Sequence, residues 1–492
     1  MTIGIDLGSQ QLSAAWVGPN GSPQLVPDKH DAEVFHTPAS LGLEGGRTFV
    51  GRAADVLAED NPAAPVARSL KLSLGSPEPV LHDMRRRPWL AETALTVVLQ
   101  KILDDATLAS GSRPKFAVLT VPQDFTSAQR QAVLRAADWT GLQGALLLDR
   151  SLAAARYLAA APDRPASLLA LVLVVGTRFA EATLLDVGER SFKVRATACA
   201  RTGGSQMDEA LLRALQPGLG GIADDPANLP SLTAAIAGFR RRLAKSGAKE
   251  AEAVLFVRGR PCQVHLLSSH YEQVIAPVVA QLIGLAERVL QQAGVNWNQV
   301  DVCWPVAGCA QEPAVLQALA AKCGRPVQPR QAIQAAAFGA ALHAADLVAG
   351  SAWGGLARLP GSRGAALALR LVDSEKRVKL DELIPAGSPW PAQAVKRFAT
   401  SRADQARMVF DLVFADAANI DSAALVAFGP IPKPRLNLGI DLHVSVNAHG
   451  LLIAEATDTS TGNKLPRTLL TRGASSEPLV TQRTFLEGLR HV

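Results

Sequence analysis

Two short glycine turns are the first places in this sequence where chemistry could be done. Ile3-Gly-Ile-Asp-Leu-Gly8 followed by residues 12–17 reads as a strand, a glycine turn and a returning strand. Residues 171–176 followed by 180–187 repeat that plan about 168 positions later. Without a Cβ at such a turn, backbone N–H groups can approach a phosphate closely. One such turn usually does no more than reverse the chain. Two at equivalent positions point to a phosphate-binding cleft between related halves. The other reactive residue types are dispersed. Five cysteines (Cys199, Cys262, Cys303, Cys309 and Cys323) form no CxxC pair, which argues against a disulfide framework or a zinc site and for a reducing compartment. Arg85-Arg86-Arg87 and Arg240-Arg241-Arg242 read first as solvated faces.

The elements that must position those turns alternate along the first 347 residues. Short β-rich runs at 2–5, 115–121, 145–148, 168–175 and 300–306 are interleaved with Ala/Leu-rich helical runs at 89–108, 127–140, 231–244, 271–293 and 313–322. In the second helix Thr126 or Ser127 can cap the first turn, and Gly141 can take the left-handed position after the last. The alternation implies α/β layers with helices covering sheets. Residues 348–363 are Gly-rich and aperiodic and read as a linker. From 364 to 470, short strand-like segments (365–371, 408–414, 440–446, 451–457) separated by turn clusters carry the signature of an antiparallel β-sandwich. Residues 471–492 read as a tail.

Length and composition exclude several classes. At roughly 150 residues per domain, 492 residues suggest about three units. With 48% hydrophobic and 19% charged residues the chain can bury sizeable cores, so global disorder is excluded. The net charge of +6 is mild for this length and supports no nucleic-acid partner. The N-terminus meets Asp6 before any apolar run forms, so no signal peptide is expected. The longest uninterrupted apolar run, 168–175, spans 8 residues, far below the roughly 20 a bilayer requires. A soluble cytoplasmic protein without a membrane partner is the expectation.

Ordered motifs then carry a resemblance. Ile3-Gly-Ile-Asp-Leu-Gly-Ser9, Thr37-Pro-Ala-Ser40, Val50-Gly-Arg-Ala-Ala54 and Leu70-Lys-Leu-Ser-Leu-Gly75 are joined by Ala117-Val-Leu-Thr-Val-Pro122 and Thr202-Gly-Gly204…Asp208. Ala337-Phe-Gly-Ala-Ala341, Gly429-Pro-Ile-Pro-Lys-Pro-Arg435 and Val446-Asn-Ala-His-Gly-Leu-Leu452 complete the series. Together they resemble the heat shock protein 70 (DnaK-type) chaperone family from residue 2 to about 465. The resemblance implies a duplicated actin-like (ribonuclease H-like) two-lobed nucleotide-binding domain over 1–347, followed by an antiparallel β-sandwich of the substrate-binding type. The helical lid that follows the sandwich in that family is expected to be absent.

The same resemblance assigns roles. Mg-ATP would lie between the two hairpins, with Asp6 beside the metal and Lys71 positioning the attacking water. Gly8, Ser9, Gln10, Gly176, Thr177, Gly203, Gly204, Gly308 and Cys309 would surround the nucleotide, and Arg240 and Arg241 would bracket its base. Pro122 and Arg130 would relay nucleotide state to the sandwich. Phe398, Met408 and Phe410 would line a peptide groove, although alternating apolar residues in a sandwich are more often core. The family's binding chemistry implies ATP or ADP as ligand, a polypeptide client or regulated protein as partner, and co-chaperones as further candidates.

The departures from the family fall on the catalytic positions. Val174 stands where the family has its catalytic aspartate, Phe179 where it has a threonine, and Arg150 where a glutamate lies beside the metal; Glu181 keeps an acid. Losing metal-side carboxylates weakens the hold on Mg²⁺, and loss of one catalytic carboxylate costs on the order of 100-fold or more in rate. Arg150 would either neutralise a phosphate in place of the metal or remain as a salt-bridged remnant. Ala307 and Gln311 replace a glycine and an arginine of the adenosine loop, and Asp373-Ser-Glu-Lys-Arg377 replaces the apolar arch over the peptide. The expectation is a chaperone-like protein that binds nucleotide and hydrolyses it weakly or not at all. An active ATP-dependent chaperone, with Glu181 restoring the metal site, and a nucleotide-independent scaffold are the alternatives.

Overall fold

The computed structural model describes residues 1–469 except 162–164, 190–191, 223, 226–227, 247–249, 258–259, 325–326, 328–332, 350–365, 373–377, 387, 389–390, 416–419 and 448–451. The arch at 373–377, the tail and most of the linker lie outside the described residues. Residues 348 and 349, read as linker, instead end the helix Ala335–Ala349.

Two sheets repeat one plan. In the first, Thr2–Leu7 pairs antiparallel with Gln11–Val17 and parallel with Phe116–Val121, which pairs parallel with Gly144–Asp149. In the second, Leu168–Val175 pairs antiparallel with Ala180–Val187 and parallel with Val302–Val306. Each central strand therefore has its own hairpin partner on one side and a crossover strand on the other. This is the duplication that the glycine turns suggested. The central strands are nearly continuous apolar runs because both faces are covered. Ile3, Ile5, Leu171 and Leu173 are fully buried.

The helices cover the sheets as their composition requires. Ala335–Ala349 and Arg150–Leu158 pack so closely that a Cβ on Gly339 would lie 1.6 Å from the Ala153 carbonyl oxygen. Ser127–Trp139 is capped by Thr126 in a reciprocal capping box with Gln129, and Gly141 follows at φ 81°. The segment Ser269–Gln292, 24 residues at mean hydropathy 1.4, is long and apolar enough to cross a membrane. Its apolar residues are spread through a helical period, the pattern of a core helix, which an uninterrupted run does not reveal. Ile275, Leu282, Ala286 and Val289 of this helix are buried in the core beneath the second sheet.

The C-terminal unit is a sandwich of a five-stranded sheet (order Val378–Ile384, Ala366–Val372, Met408–Ala415, Ile420–Phe428, Arg467–Leu469) and a three-stranded sheet (Ala392–Ala399, Gly439–Val446, Leu452–Asp458). All pairings are antiparallel. Met408 and Phe410 are buried in the core between these sheets, and Phe398 packs against it with its ring 5.0 Å from that of Phe410. Period-two alternation turns Met408 and Phe410 inward, the core placement that the sequence reading weighed against a peptide groove.

Candidate functional site

The two hairpins face one another across a cleft whose floor is crowded with charge. Asp6 ends the first strand, where Thr120 of the parallel neighbour donates to its Oδ1 at 2.6 Å. Arg150, first residue of the helix after Gly144–Asp149, donates from Nη2 to Asp6 Oδ2 at 2.6 Å. A Cβ on Gly176 would come within 3.2 Å of Arg150 Nη1, so the guanidinium lies between the first hairpin and the second. Burial works to raise the Asp6 pKa, but the charge and hydrogen bond of Arg150, helped by Thr120 and Lys71, outweigh it and hold the carboxyl below its usual range.

Lys71 is buried in the turn Leu70–Ser73 and donates to the Leu7 carbonyl at 2.6 Å. Its Nζ lies 5.5 Å from the ring centroid of Phe125 and 5.9 Å from that of Phe179. Burial, and then Arg150, lower its pKa to about 8. Val174 sits in register opposite Glu181, so the surviving acid is offered from the neighbouring strand on the same face. Glu181 Oε1 accepts from the Gln123 backbone N–H at 3.3 Å. Burial, and then the negative charge of Asp149, raise its carboxyl to about 7. Around it a buried polar chain joins the two halves: Thr197 donates to Gln123 Oε1, and Thr183 bonds both Thr197 (3.2 Å) and Ser151 (2.9 Å).

Residues for a hydrated metal do not fit here. Both Asp6 oxygens already have partners, and among the described residues no three His, Cys, Asp or Glu side chains converge as a ligand set. The Arg150 guanidinium occupies one of those oxygens and neutralises the carboxylate itself.

Farther into the second half, Gly203 (φ 155°) and Gly204 open the helix Gly204–Leu219. Gly204 N–H donates to the Gly176 carbonyl (3.1 Å) and Ser205 N–H to that of Thr177 (2.7 Å). A Cβ on Gly204 would meet Cys309 Sγ at 2.5 Å and Arg240 Nη2 at 3.1 Å. Gly204, Cys309 and Arg240 are therefore brought together. Arg240 is not a solvated arginine: it is buried, with Nε on Asp208 (2.6 Å) and Nη1 on Glu312 (3.0 Å), and Glu312 also accepts from Tyr271 Oη (2.7 Å). Arg241 and Arg242 are exposed, as a solvated face requires. The backbone of Ala307, one residue before Gly308, has φ 72° and ψ 167°, a region open essentially to glycine alone.

Arg130 is buried and ties the connection after Phe116–Val121 together, donating to the carbonyls of Gln123 (3.2 Å), Phe125 (3.2 Å) and Pro122 (3.4 Å) and to Asp149 (3.0 Å). Three residues earlier, Ser127 Oγ accepts from Leu452 N–H of the sandwich at 3.1 Å. The sandwich thus meets the nucleotide-type domain on the helix that carries Arg130. Gln123 and Glu312 were not singled out from sequence; Thr120, Phe125 and Leu452 entered only within family-like motifs and Ser127 only as a possible helix cap.

The comparisons agree with this architecture. Residues 2–477 match the family model described as Hsp70 protein. The chain is 26% identical, over 539 aligned residues covering 99% of it and 83% of the relative, to chaperone protein DnaK of Thermus thermophilus. It is 25% identical to DnaK of Methanothermobacter thermautotrophicus, over 98% of this chain and 82% of that one. It is 28% identical to the HscA homolog of Acidithiobacillus ferrooxidans, over 94% of this chain and 76% of that one. The chain belongs to the Hsp70 family of chaperones.

Proposed function

We propose that this chain is a polypeptide-holding chaperone whose cleft takes ATP or ADP against an arginine instead of Mg²⁺ and turns it over weakly or not at all. The observation that carries this reading is the 2.6 Å pair between Arg150 and Asp6, which puts a fixed cation beside the acid that the resemblance assigns to the metal. Phosphoryl transfer depends on positioning and on neutralising charge; a guanidinium supplies the second without activating water. Gly8, Ser9, Gln10, Thr177, Gly308 and Arg241 are proposed to surround the nucleotide. The sandwich is proposed to hold the client, and Pro122 and Arg130 to couple it to the cleft through Ser127. The five cysteines form no disulfide, which suits a reducing cytoplasm.

One observation favours a second reading, a nucleotide-independent scaffold. The N–H groups of Gly204 and Ser205, which open a helix and would otherwise face an anion, are already bonded to the second hairpin. Titrating ATP and ADP by calorimetry with Mg²⁺ and with EDTA separates the readings. Micromolar binding unchanged by EDTA is expected. Binding lost in EDTA would restore the metal site, and no binding in either buffer would leave the scaffold.

A further inference from the structure

A short hairpin on the first half of the nucleotide-type domain ends in three consecutive arginines. Leu81–His82 pairs antiparallel with Pro88–Trp89. Leu81 and Trp89 are buried in the core of that half, and Val80 packs against it. The loop they carry is tightly built. The Asp83 carbonyl accepts from Arg86 N–H (2.8 Å), and the Arg87 carbonyl from Asp83 N–H (3.1 Å). Asp83 Oδ1 accepts from the N–H groups of Arg85 and Arg87, each at 2.9 Å, and Oδ2 from Arg87 Nε at 2.7 Å. The acid of the hairpin is therefore spent on holding the loop and on neutralising one arginine. Arg86 has φ 58°, the left-handed position that three-residue hairpin loops usually give to glycine. An arginine side chain is thus held at the tip against the preference of its backbone.

Met84, at the same tip, is 80% exposed, more than any other large apolar side chain among the described residues. Arg85 and Arg86 are exposed too, and among the described residues neither forms an ion pair. We propose that this tip is a docking site for an acidic polypeptide segment in which Asp or Glu residues flank an apolar one. It shares no residue with the cleft and is independent of what the cleft binds. The partner's class follows from what the tip offers. Guanidinium forks match carboxylates bidentately, and a thioether adapts to the apolar surface of a partner. Nucleic acid calls for a basic stripe, and single strands for stacking rings; residues 84–86 supply two free cations and no ring. Recognition of an anionic membrane rests on clusters of about 4–8 basic residues, more than this hairpin carries.

The test uses the full chain without nucleotide and a fluorescent peptide of alternating Glu and Leu as probe. Arg85→Ala/Arg86→Gly removes both free cations, and glycine suits the left-handed position, so its denaturation midpoint is expected at or above that of the wild type. Its affinity for the peptide is expected to fall about tenfold at low ionic strength, with the difference shrinking as salt is added. Met84→Gln is expected to bind the Glu–Leu peptide no better than a peptide of Glu and Ser, whereas the wild type prefers the former. Peptide held in the sandwich is untouched by these changes, so the difference between proteins isolates the hairpin. Equal affinity of the wild type and the double variant overturns the inference, as does absence of peptide binding by the wild type. Phosphatidylserine vesicles and a single-stranded oligonucleotide are the competing probes. Binding to either that the double variant abolishes, with the peptide unaffected, overturns the polypeptide assignment.

Discussion

Arg150 and Asp6 set the chemistry of the cleft at the scale of single residues. A buried ion pair is weak evidence for stability in itself, but removing one partner strands the other and costs about 3–5 kcal/mol. Arg150→Met is therefore expected to destabilise the fold by about that amount near neutral pH. The sign of its pH dependence follows from Asp6. In the wild type the Asp6 carboxyl lies below 3.8, so the pair's contribution is present above that value and is lost as pH falls through the lower folded value. In Arg150→Met burial dominates, the folded carboxyl rises above its unfolded value, and protonation relieves the stranded charge. Denaturant unfolding at about pH 7 and about pH 4 should show the penalty shrinking in acid; an equal penalty at both would contradict the buried pairing.

Around the cleft, one loop keeps a backbone geometry suited to glycine at a residue that carries a Cβ. Ala307 holds a backbone conformation that costs a residue with a Cβ about 1–3 kcal/mol. Ala307→Gly is expected to stabilise the chain by about 1 kcal/mol, read as a raised denaturation midpoint with an unchanged slope; a destabilised variant would mean that the Ala307 methyl packs better than its backbone suffers. Much of this level was legible in the sequence. Strands at 168–175 and 116–121 announced themselves as short apolar runs, and the helix from Ser127 by its cap and closing glycine. The strand pair Glu250–Val257 and Arg260–Leu267 was missed because Pro261 and alternating charged residues mask its pattern, and the helix Gly204–Leu219 because glycine opens it and Pro217 sits within it. Within the site, the family resemblance marked Asp6 and Lys71, but no local pattern could give the Asp208–Arg240–Glu312 cluster, whose members are joined only by the fold.

For the whole molecule, the sandwich and the cleft are linked through one short helix. Ser127 receives the sandwich, Arg130 on the same helix braces the connection that carries Gln123, and Gln123 contacts Glu181. Ser127→Ala removes one buried hydrogen bond, about 1 kcal/mol, and the Leu452 amide is expected to exchange with solvent deuterium about fivefold faster in that variant. Unchanged exchange would mean that this contact does not hold the domains together. The similarity to DnaK and HscA spans both domains, whereas the positions that the resemblance assigns to catalysis hold Arg150, Val174 and Phe179. Family membership and the proposed loss of turnover are therefore separable. Single-turnover hydrolysis of ATP by the wild-type protein in saturating Mg²⁺ tests that separation most directly. The expected result is phosphate release no faster than in the protein-free control; Mg²⁺-dependent release that disappears in Lys71→Ala would contradict it.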